Sequence, residues 1–479
     1  MAPISKSEKR MADKDIVIIG GGPGGYVAAI KAAQLGGKVT LVEKDELGGT
    51  CLNRGCMPTK ALLHGVELLE SLEAAKDFGI QAEGVKVDFA RMSARKDRAV
   101  KVLVAGVSGL MKANGVEVVK GSARLLSPGT VQVADDKNQT VSYQAKKILL
   151  ATGSVSAPLP IPGAQLPGVI DSTGALKLTR VPESMAIIGA GPIGLEFGTI
   201  FSCLGAKVTI LELLPQILPS EDPEIASALE KTLKNSKIRI LTGTQVRSIE
   251  ESAGGRLKVS AVTGEGEKAF EVEVVLVAVG RKPSLEGLGL EEAGVRFGKK
   301  GIEVNSRMET NVPGIYAVGD VTGQWLLAHF AFAQGEVAAE NALGREAELD
   351  SRAIPRCVYT LPEVASVGLT EKEAGEKGYE VKVGRFPFSA NGRATVMGER
   401  TGLVKIVSEV KYGEILGMNI FGPHATDLIG EAVLAMALEG TAEDLARAIH
   451  PHPTLTEAVK EAALDVDGLS LHIPPRKKG

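Results

Sequence analysis

The sequence predicts an α/β protein in which one strand–loop–helix–strand unit occurs twice, followed by a smaller region of mixed helices and strands. Three observations carry this. The chain has 479 residues, more than one core usually serves, so three or four domains are expected. Two segments with β-branched strands turn through glycine-rich loops and end on an acid at one common spacing. Hydrophobic residues make up 44% of the chain, enough for well-packed interiors.

The opening "MAPISKSEKR" lacks the apolar core of a signal peptide and reads as a flexible leader, with the ordered chain expected from about Met11. Next comes "KDIVIIGGGPGGYVAAIKAAQLGGKVTLVEK" (14–44): a β-branched strand, Gly20, Gly22 and Gly25, a helical stretch, and a second strand closed by Glu43. "SMAIIGAGPIGLEFGTIFSCLGAKVTILEL" (184–213) repeats it with Gly189, Gly191, Gly194 and Glu212. The acid follows the first glycine by 23 residues in both. In such a unit the first glycine makes the turn, the second admits a pyrophosphate and the third packs helix on strand. The helix N-terminus faces the phosphates, and the acid binds ribose hydroxyls. Two dinucleotides are therefore expected.

At the second loop an acid favours the free 2′-hydroxyl of NAD, and no Arg or Lys follows Glu212 through "LLPQILPS" to hold a 2′-phosphate. The first loop does not by itself distinguish its nucleotide. The cysteine pair that begins eight residues after Glu43 points to FAD.

That pair, Cys51 and Cys56 in "GGTCLNRGCMPTKALLH" (48–64), has three readings. Zinc needs further ligands, yet Cys203 and Cys357 are isolated and His64 stands alone, so no metal is expected. A staple closing so short a loop would restrain little chain entropy. Redox chemistry is favoured, because four cysteines in this chain make no disulfide scaffold and imply a reducing cytoplasm. A regular helix would hold positions five apart at about 8 Å, beyond the roughly 7 Å a disulfide tolerates. A bonded pair therefore requires a helix distorted near Gly55 and Pro58, or one whose regular part begins after Cys51.

A net charge of −3 offers no basic excess for nucleic acid. No apolar run reaches the roughly 18 residues of a membrane span. The nearest, "MAIIGAGPIGLEFGTIF", is interrupted by Pro192 and Glu196.

With these motifs in place, the chain resembles the pyridine nucleotide-disulfide oxidoreductases over nearly its whole length. "LLATGS" (149–154) and "GIYAVGDVTG" (314–323) are similar to that family's later flavin-binding segments. "VAVGRKPS" (277–284) resembles the return from its NAD domain, and "HPHPTLTEAVKEAA" (450–463) its C-terminal His-Pro-Thr motif. "FPFSANGRA" (386–394) and the acid at the NAD loop resemble its dihydrolipoamide-oxidising branch. No cysteine follows Cys357, unlike mercuric and large thioredoxin reductases, and the arginines of NADP-linked reductases are missing after Glu212. Soluble transhydrogenases lack the thiol pair. Arg54, Met57 and the apolar "LAHFAFAQG" (327–335) depart from the usual pattern.

The resemblance implies a redox disulfide between Cys51 and Cys56. Cys51 would be the exposed thiol that exchanges with substrate, and Cys56 the thiolate against the flavin. His452 would be the base and Glu457 its orienting partner. Lys60 and Glu196 would pair near the flavin N5. Gly49, Thr50, Lys60, Ala151, Thr152, Gly153 and Asp320 would join Gly20, Gly22, Gly25 and Glu43 around FAD. Gly280 would join Gly189, Gly191, Gly194 and Glu212 around NAD. His450, His64, His329, His424 and His472 are read as structural.

The expected domains are FAD-binding (1–155), NAD-binding (156–280), a central segment completing the FAD site (281–350) and a C-terminal α+β dimerisation domain (351–479). Because His452 lies far along the chain from the cysteines, the family's shared-site homodimer is implied. The implied activity is NAD-linked oxidation of dihydrolipoamide on the lipoyl domains of 2-oxo acid dehydrogenase or glycine cleavage complexes, in the cytoplasm. The alternatives are another thiol/disulfide reductase of the family, or a flavoprotein redox sensor without turnover. A sensor needs no substrate base, so His452 and Glu457 discriminate.

Overall fold

The computed structural model describes residues 9–475. Of the expected leader, residues 1–8 lie outside the described residues, whereas Lys9 and Arg10 already belong to the first strand, Lys9–Ile19. The chain divides into two compact units. One holds the residues up to Ala61, Ala90–Pro158 and Gly280–Asp350; the other holds Leu62–Phe89, Leu159–Val279 and the chain from Ser351.

In the first unit the strands Glu117–Lys120, Val39–Glu43, Lys9–Ile19, Thr140–Leu150 and Ile315–Ala317 run parallel in that order. Ile16 to Ile19 are buried without alternation, as a strand covered on both faces requires. The early half of Thr140–Leu150 also pairs antiparallel with Thr130–Ala134, which pairs with Ser122–Ser127. The helix Pro23–Gln34 buries Gly24, Gly25, Ala28, Ala29 and Ala32. This small-residue face lets Ala328–Ala342 pack tightly against it: a Cβ on Gly335 would stand 2.5 Å from the Gly24 carbonyl oxygen.

The second unit repeats the parallel plan. Its strands run Arg239–Leu241, Lys207–Leu211, Ser184–Ile188, Val274–Val277, Val169–Ile170, beside a three-stranded antiparallel sheet over 245–272. After Ser351 the pattern changes to an antiparallel sheet ordered Arg356–Val358, Glu363–Gly368, Ile415–Gly422, Leu403–Glu409, Val381–Pro387. The helix Glu457–Asp465 buries Ala458, Val459, Ala462 and Ala463, a helical stripe turned onto that sheet. Gly384 permits the contact, because a Cβ there would lie 2.0 Å from the Ala462 carbonyl oxygen. Phe386 and Phe388 fill the same core, each burial contributing about 1.5–3 kcal/mol.

Candidate active site

The two glycine loops have the same construction. Each first glycine, Gly20 and Gly189, has φ +106°, in the region glycine favours. Each third glycine is held against the first: a Cβ on Gly25 would be 1.8 Å from the Gly20 carbonyl oxygen, and one on Gly194 would be 2.0 Å from that of Gly189. The second glycines are different. A Cβ on Gly191 would meet no protein atom within 4 Å, and one on Gly22 would meet only the Gly49 Cα, at 3.9 Å. The free space lies before the N-termini of the helices Pro23–Gln34 and Pro192–Cys203, as a bound pyrophosphate requires.

The acids also serve the loops. Glu43 accepts from the Gly21 amide at 2.6 Å through one oxygen and from the Asp45 amide at 2.6 Å through the other. Glu212 accepts from Ala190 at 2.6 Å and from Leu214 at 2.8 Å in the same manner. Each buried carboxylate thus holds its loop and keeps lone pairs for a ribose hydroxyl. Both loops fit a dinucleotide.

The cysteine stretch carries the expected distortion. A short helix, Gly49–Arg54, ends at Gly55, whose φ of −141° and ψ of −112° are not helical, and a second helix, Cys56–Ala74, starts at the next residue. Gly49 brings the first helix onto the first glycine loop, since a Cβ there would stand 2.7 Å from the Gly22 Cα. Thr50 is half-buried beside it, and Asn53 Nδ2 donates to the Leu47 and Gly49 carbonyls at 3.0 and 2.9 Å. Arg54 pairs with Asp45, while Met57 is exposed.

Cys51 is hydrogen-bonded to Cys56. That bond, followed by burial, pushes the Cys51 thiol far up, partly offset by the Lys60 ammonium. Cys51, in the first short helix, is 8% exposed, and Cys56, at the start of the second, is half-buried.

Asp320 lies in the 3-10 turn Gly319–Thr322, with its carboxylate accepting from the Ser154 hydroxyl. Burial raises its pKa, against the lowering effects of Ser154 and the Arg281 charge. Arg281 donates from Nε to Ser154 Oγ and from Nη2 to the Ser154 carbonyl, both at 2.7 Å. The Ala151 amide donates to Ile19 at 2.8 Å, and Thr152 Oγ1 donates to the Ser284 carbonyl at 2.9 Å. Gly153, with φ +72°, joins these two anchored residues to Ser154. Gly280 opens the last segment of the first unit, with φ +108°, and its carbonyl accepts from the Ala157 amide.

In the second unit His452 and Glu457 are brought together. His452 Nδ1 is 2.8 Å from Glu457 Oε1, and Glu457 Oε2 accepts from the Thr454 amide at 2.9 Å. Burial works to raise the Glu457 pKa, but the Thr454 amide and His452 outweigh it and hold the carboxyl below its usual range. The His452 side chain is 78% exposed. His450, by contrast, is buried against Glu431 at 2.7 Å. Glu196 is buried and accepts from the Tyr359 amide at 3.1 Å. Cys51, Cys56 and Lys60 are in the first unit; Glu196, His452 and Glu457 are in the second. Among the described residues no cluster of His, Cys, Asp and Glu could hold a metal, and no helix is long and apolar enough to cross a membrane.

The sequence pattern of the pyridine nucleotide-disulphide oxidoreductases matches residues 14–335, and that of their dimerisation domain matches 354–463. The chain belongs to this family. It is 46% identical over 467 residues to a dihydrolipoyl dehydrogenase of Thermus scotoductus, covering 97% of this chain and 99% of that one. It is 42% identical over 463 residues to that of Bacillus subtilis, covering 95% and 99%. Among solved structures it is similar to LpdA from Mycobacterium tuberculosis, with a TM-score of 0.87, 28% identity and coverage of 95% and 99%. It is also similar to the HOCl-induced flavoprotein disulfide reductase of Escherichia coli, with a TM-score of 0.82, 29% identity and coverage of 93% and 98%.

Set against this family, sequence reasoning missed Ser154 and Arg281. Both lay in segments already singled out, "LLATGS" and "VAVGRKPS", but their bonding depends on the pairing of strand Ser154–Ser156 with Arg281–Pro283. It also missed the Tyr359 amide at Glu196, which no local signal announces.

Proposed function

We propose that this family member is an NAD-dependent dihydrolipoyl dehydrogenase, which oxidises protein-bound dihydrolipoamide to lipoamide with FAD as cofactor and reduces NAD+ to NADH. One observation carries the reading: a hydrogen-bonded thiol pair on a broken helix whose first turn is packed on the flavin glycine loop. FAD would be held by the Gly20–Gly25 loop, Glu43, Gly49, Thr50, Ala151, Thr152, Gly153 and Asp320. Its chemistry, when bound, is to relay an electron pair between a dithiol and a nicotinamide.

The chain's own residues do the thiol chemistry. His452, turned by Glu457, takes the proton of one substrate thiol. The resulting thiolate attacks Cys51 Sγ of the oxidised pair, forming a mixed disulfide and releasing Cys56 as thiolate. The second substrate thiol then attacks the substrate sulfur of the mixed disulfide, its proton passing to the departing Cys51 sulfur. Lipoamide leaves with its ring disulfide closed, and the imidazolium keeps the first proton, which balances the charge of the Cys56 thiolate. The substrate has lost two electrons and the pair has gained them. In the reduced pair the hydrogen bond keeps a proton on Cys51, which supports Cys56 as the sulfur that bears charge. A non-turnover sensor would leave the His452–Glu457 pair without a task.

The family's dimerisation domain supports a homodimer, in which His452 of the partner subunit would serve each cysteine pair. The exposure of His452 is consistent with such a role. The substrate arms would be lipoyl domains of 2-oxo acid dehydrogenase or glycine cleavage complexes in the cytoplasm. The similarity to a flavoprotein disulfide reductase supports a second reading, in which another disulfide is the substrate. Turnover of dihydrolipoamide, oxidised glutathione and Hg(II), each with NAD(H) and NADP(H), separates the two. Dihydrolipoamide with NAD should dominate; preference for either other substrate would overturn the assignment.

A further inference from the structure

The loop after Glu212 is anchored at both ends. Ile217, Leu218, Glu221 and Asp222 are buried to 5% exposure or less. The Leu218 amide donates to the Ala190 carbonyl at 3.0 Å, inside the second glycine loop. Gln216 Nε2 donates to the Glu221 carbonyl at 3.1 Å and braces the turn.

The other end is held by charges on the antiparallel sheet of the same unit. Arg356 Nε donates to Glu221 Oε1 at 2.9 Å, and the Ser366 hydroxyl donates to Glu221 Oε2. Asp222 caps the helix Pro223–Asn235 through one oxygen and accepts from Lys405 Nζ at 2.9 Å through the other. Lys405, 3% exposed, also lies 3.1 Å from Glu224 and 2.9 Å from Glu371, and Arg385 bridges those two acids. A buried ion cluster is poor evidence of added stability, since apolar packing could replace it, but removing one partner leaves an uncompensated buried charge, so each member holds the others in place. Here that geometry runs from the sheet through Asp222, Glu221 and Leu218 to Ala190, whose amide Glu212 holds.

We propose that Lys405, assisted by Arg356 and Ser366, is a positioning residue for NAD: from the C-terminal sheet it sets the shape of the Gly189–Gly194 loop, and so the nucleotide affinity. All three lie outside the Gly189–Gly194 loop itself. The inference rests on the NAD reading of that loop.

The test uses the FAD-loaded protein and three variants, Lys405→Met, Lys405→Arg and Ser366→Ala. NAD binding is titrated calorimetrically, KM and kcat are measured separately, and reduction by dihydrolipoamide without NAD is followed by flavin absorbance. Lys405→Met should raise the NAD Kd and KM by roughly 2- to 30-fold, the range of such indirect couplings, with kcat and the dithiol reaction within about twofold. Ser366→Ala should do the same more weakly, and Lys405→Arg should recover most of the affinity. If Lys405→Met does not fold, Ser366→Ala decides. An unchanged NAD Kd in the folded variants overturns the proposal, as does a parallel fall in both half-reactions. Failure of the unmutated protein to bind NAD is a different result and overturns the NAD reading itself.

Discussion

Replacing Gly191 and Gly194 separately by alanine divides what the second glycine loop owes to its ligand from what it owes to its own chain. At Gly194, inside the helix Pro192–Cys203, an alanine should ordinarily gain about 1 kcal/mol of helix propensity. Its Cβ, however, would stand 2.0 Å from the Gly189 carbonyl oxygen, so the helix must move off its strand. Overpacking of this kind costs roughly 1–3 kcal/mol, and a backbone collision belongs at the upper end. A net loss of about 2 kcal/mol follows, or roughly 4–8 °C in Tm for a unit of this size. At Gly191 φ is −76°, open to any residue, and the new methyl meets no protein atom within 4 Å. Stability should therefore hold, or rise by about 0.4–1 kcal/mol through reduced freedom of the unfolded chain. The methyl would occupy the space a pyrophosphate needs, and NAD affinity should fall by about tenfold or more, about 1.4 kcal/mol. Thermal denaturation without NAD and calorimetric titration with NAD measure the two effects independently. A Gly191→Ala protein that binds NAD normally, or that loses as much stability as Gly194→Ala, would refute the reasoning.

His452→Gln should cut dihydrolipoamide turnover by roughly 10²–10⁴-fold, the range for a lost general base, while NADH-dependent reduction of a one-electron dye survives. Glu457→Gln should give a milder loss of the same kind: its single amide oxygen cannot serve both His452 and the Thr454 amide, as the two carboxylate oxygens do. An equal loss of dye reduction in either variant would indicate damage to the fold. Because the folded Glu457 carboxyl is held below its unfolded value of about 4.3, its stabilising contribution is complete above that pH and disappears as pH falls through the depressed value. Urea denaturation of Glu457→Gln should therefore show its largest deficit at neutral pH and converge with the unmutated protein in acid. Cys51→Ser and Cys56→Ser should each abolish lipoamide turnover and spare dye reduction; retained turnover in either would remove the disulfide from the mechanism. Glu212→Ala releases the Ala190 and Leu214 amides together, so kcat/KM for NAD should fall and the preference over NADP should narrow. Equal kcat/KM for the two coenzymes before mutation would sink the NAD assignment.

What the sequence determined by itself was whatever depends on local spacing. The paired glycine loops, the acids that close them and the break near Gly55 were all legible, because a turn, a helix start and a strand end involve residues near one another in the chain. A break between Cys51 and Cys56 was one of two outcomes that helix rise and the reach of a disulfide allowed a bonded pair, and Gly55 is where it falls. Tertiary structure decided what depends on pairing between distant segments. The burial of Cys51 depends on the packing around the helix Gly49–Arg54, which helix rise alone does not specify. The bonds of Ser154 to Asp320 and Arg281 need a strand pairing across more than a hundred residues, and the hold of Lys405 on Asp222 spans a longer interval still. A buried charge is stable only with its partner at hydrogen-bond distance, and the sequence names the charges without naming which distant strand brings the partner. Glu43 and Glu212 show both sides: spacing marked them as the acids that close each unit's second strand, and only the folded loops revealed that each holds the glycine turn in front of it.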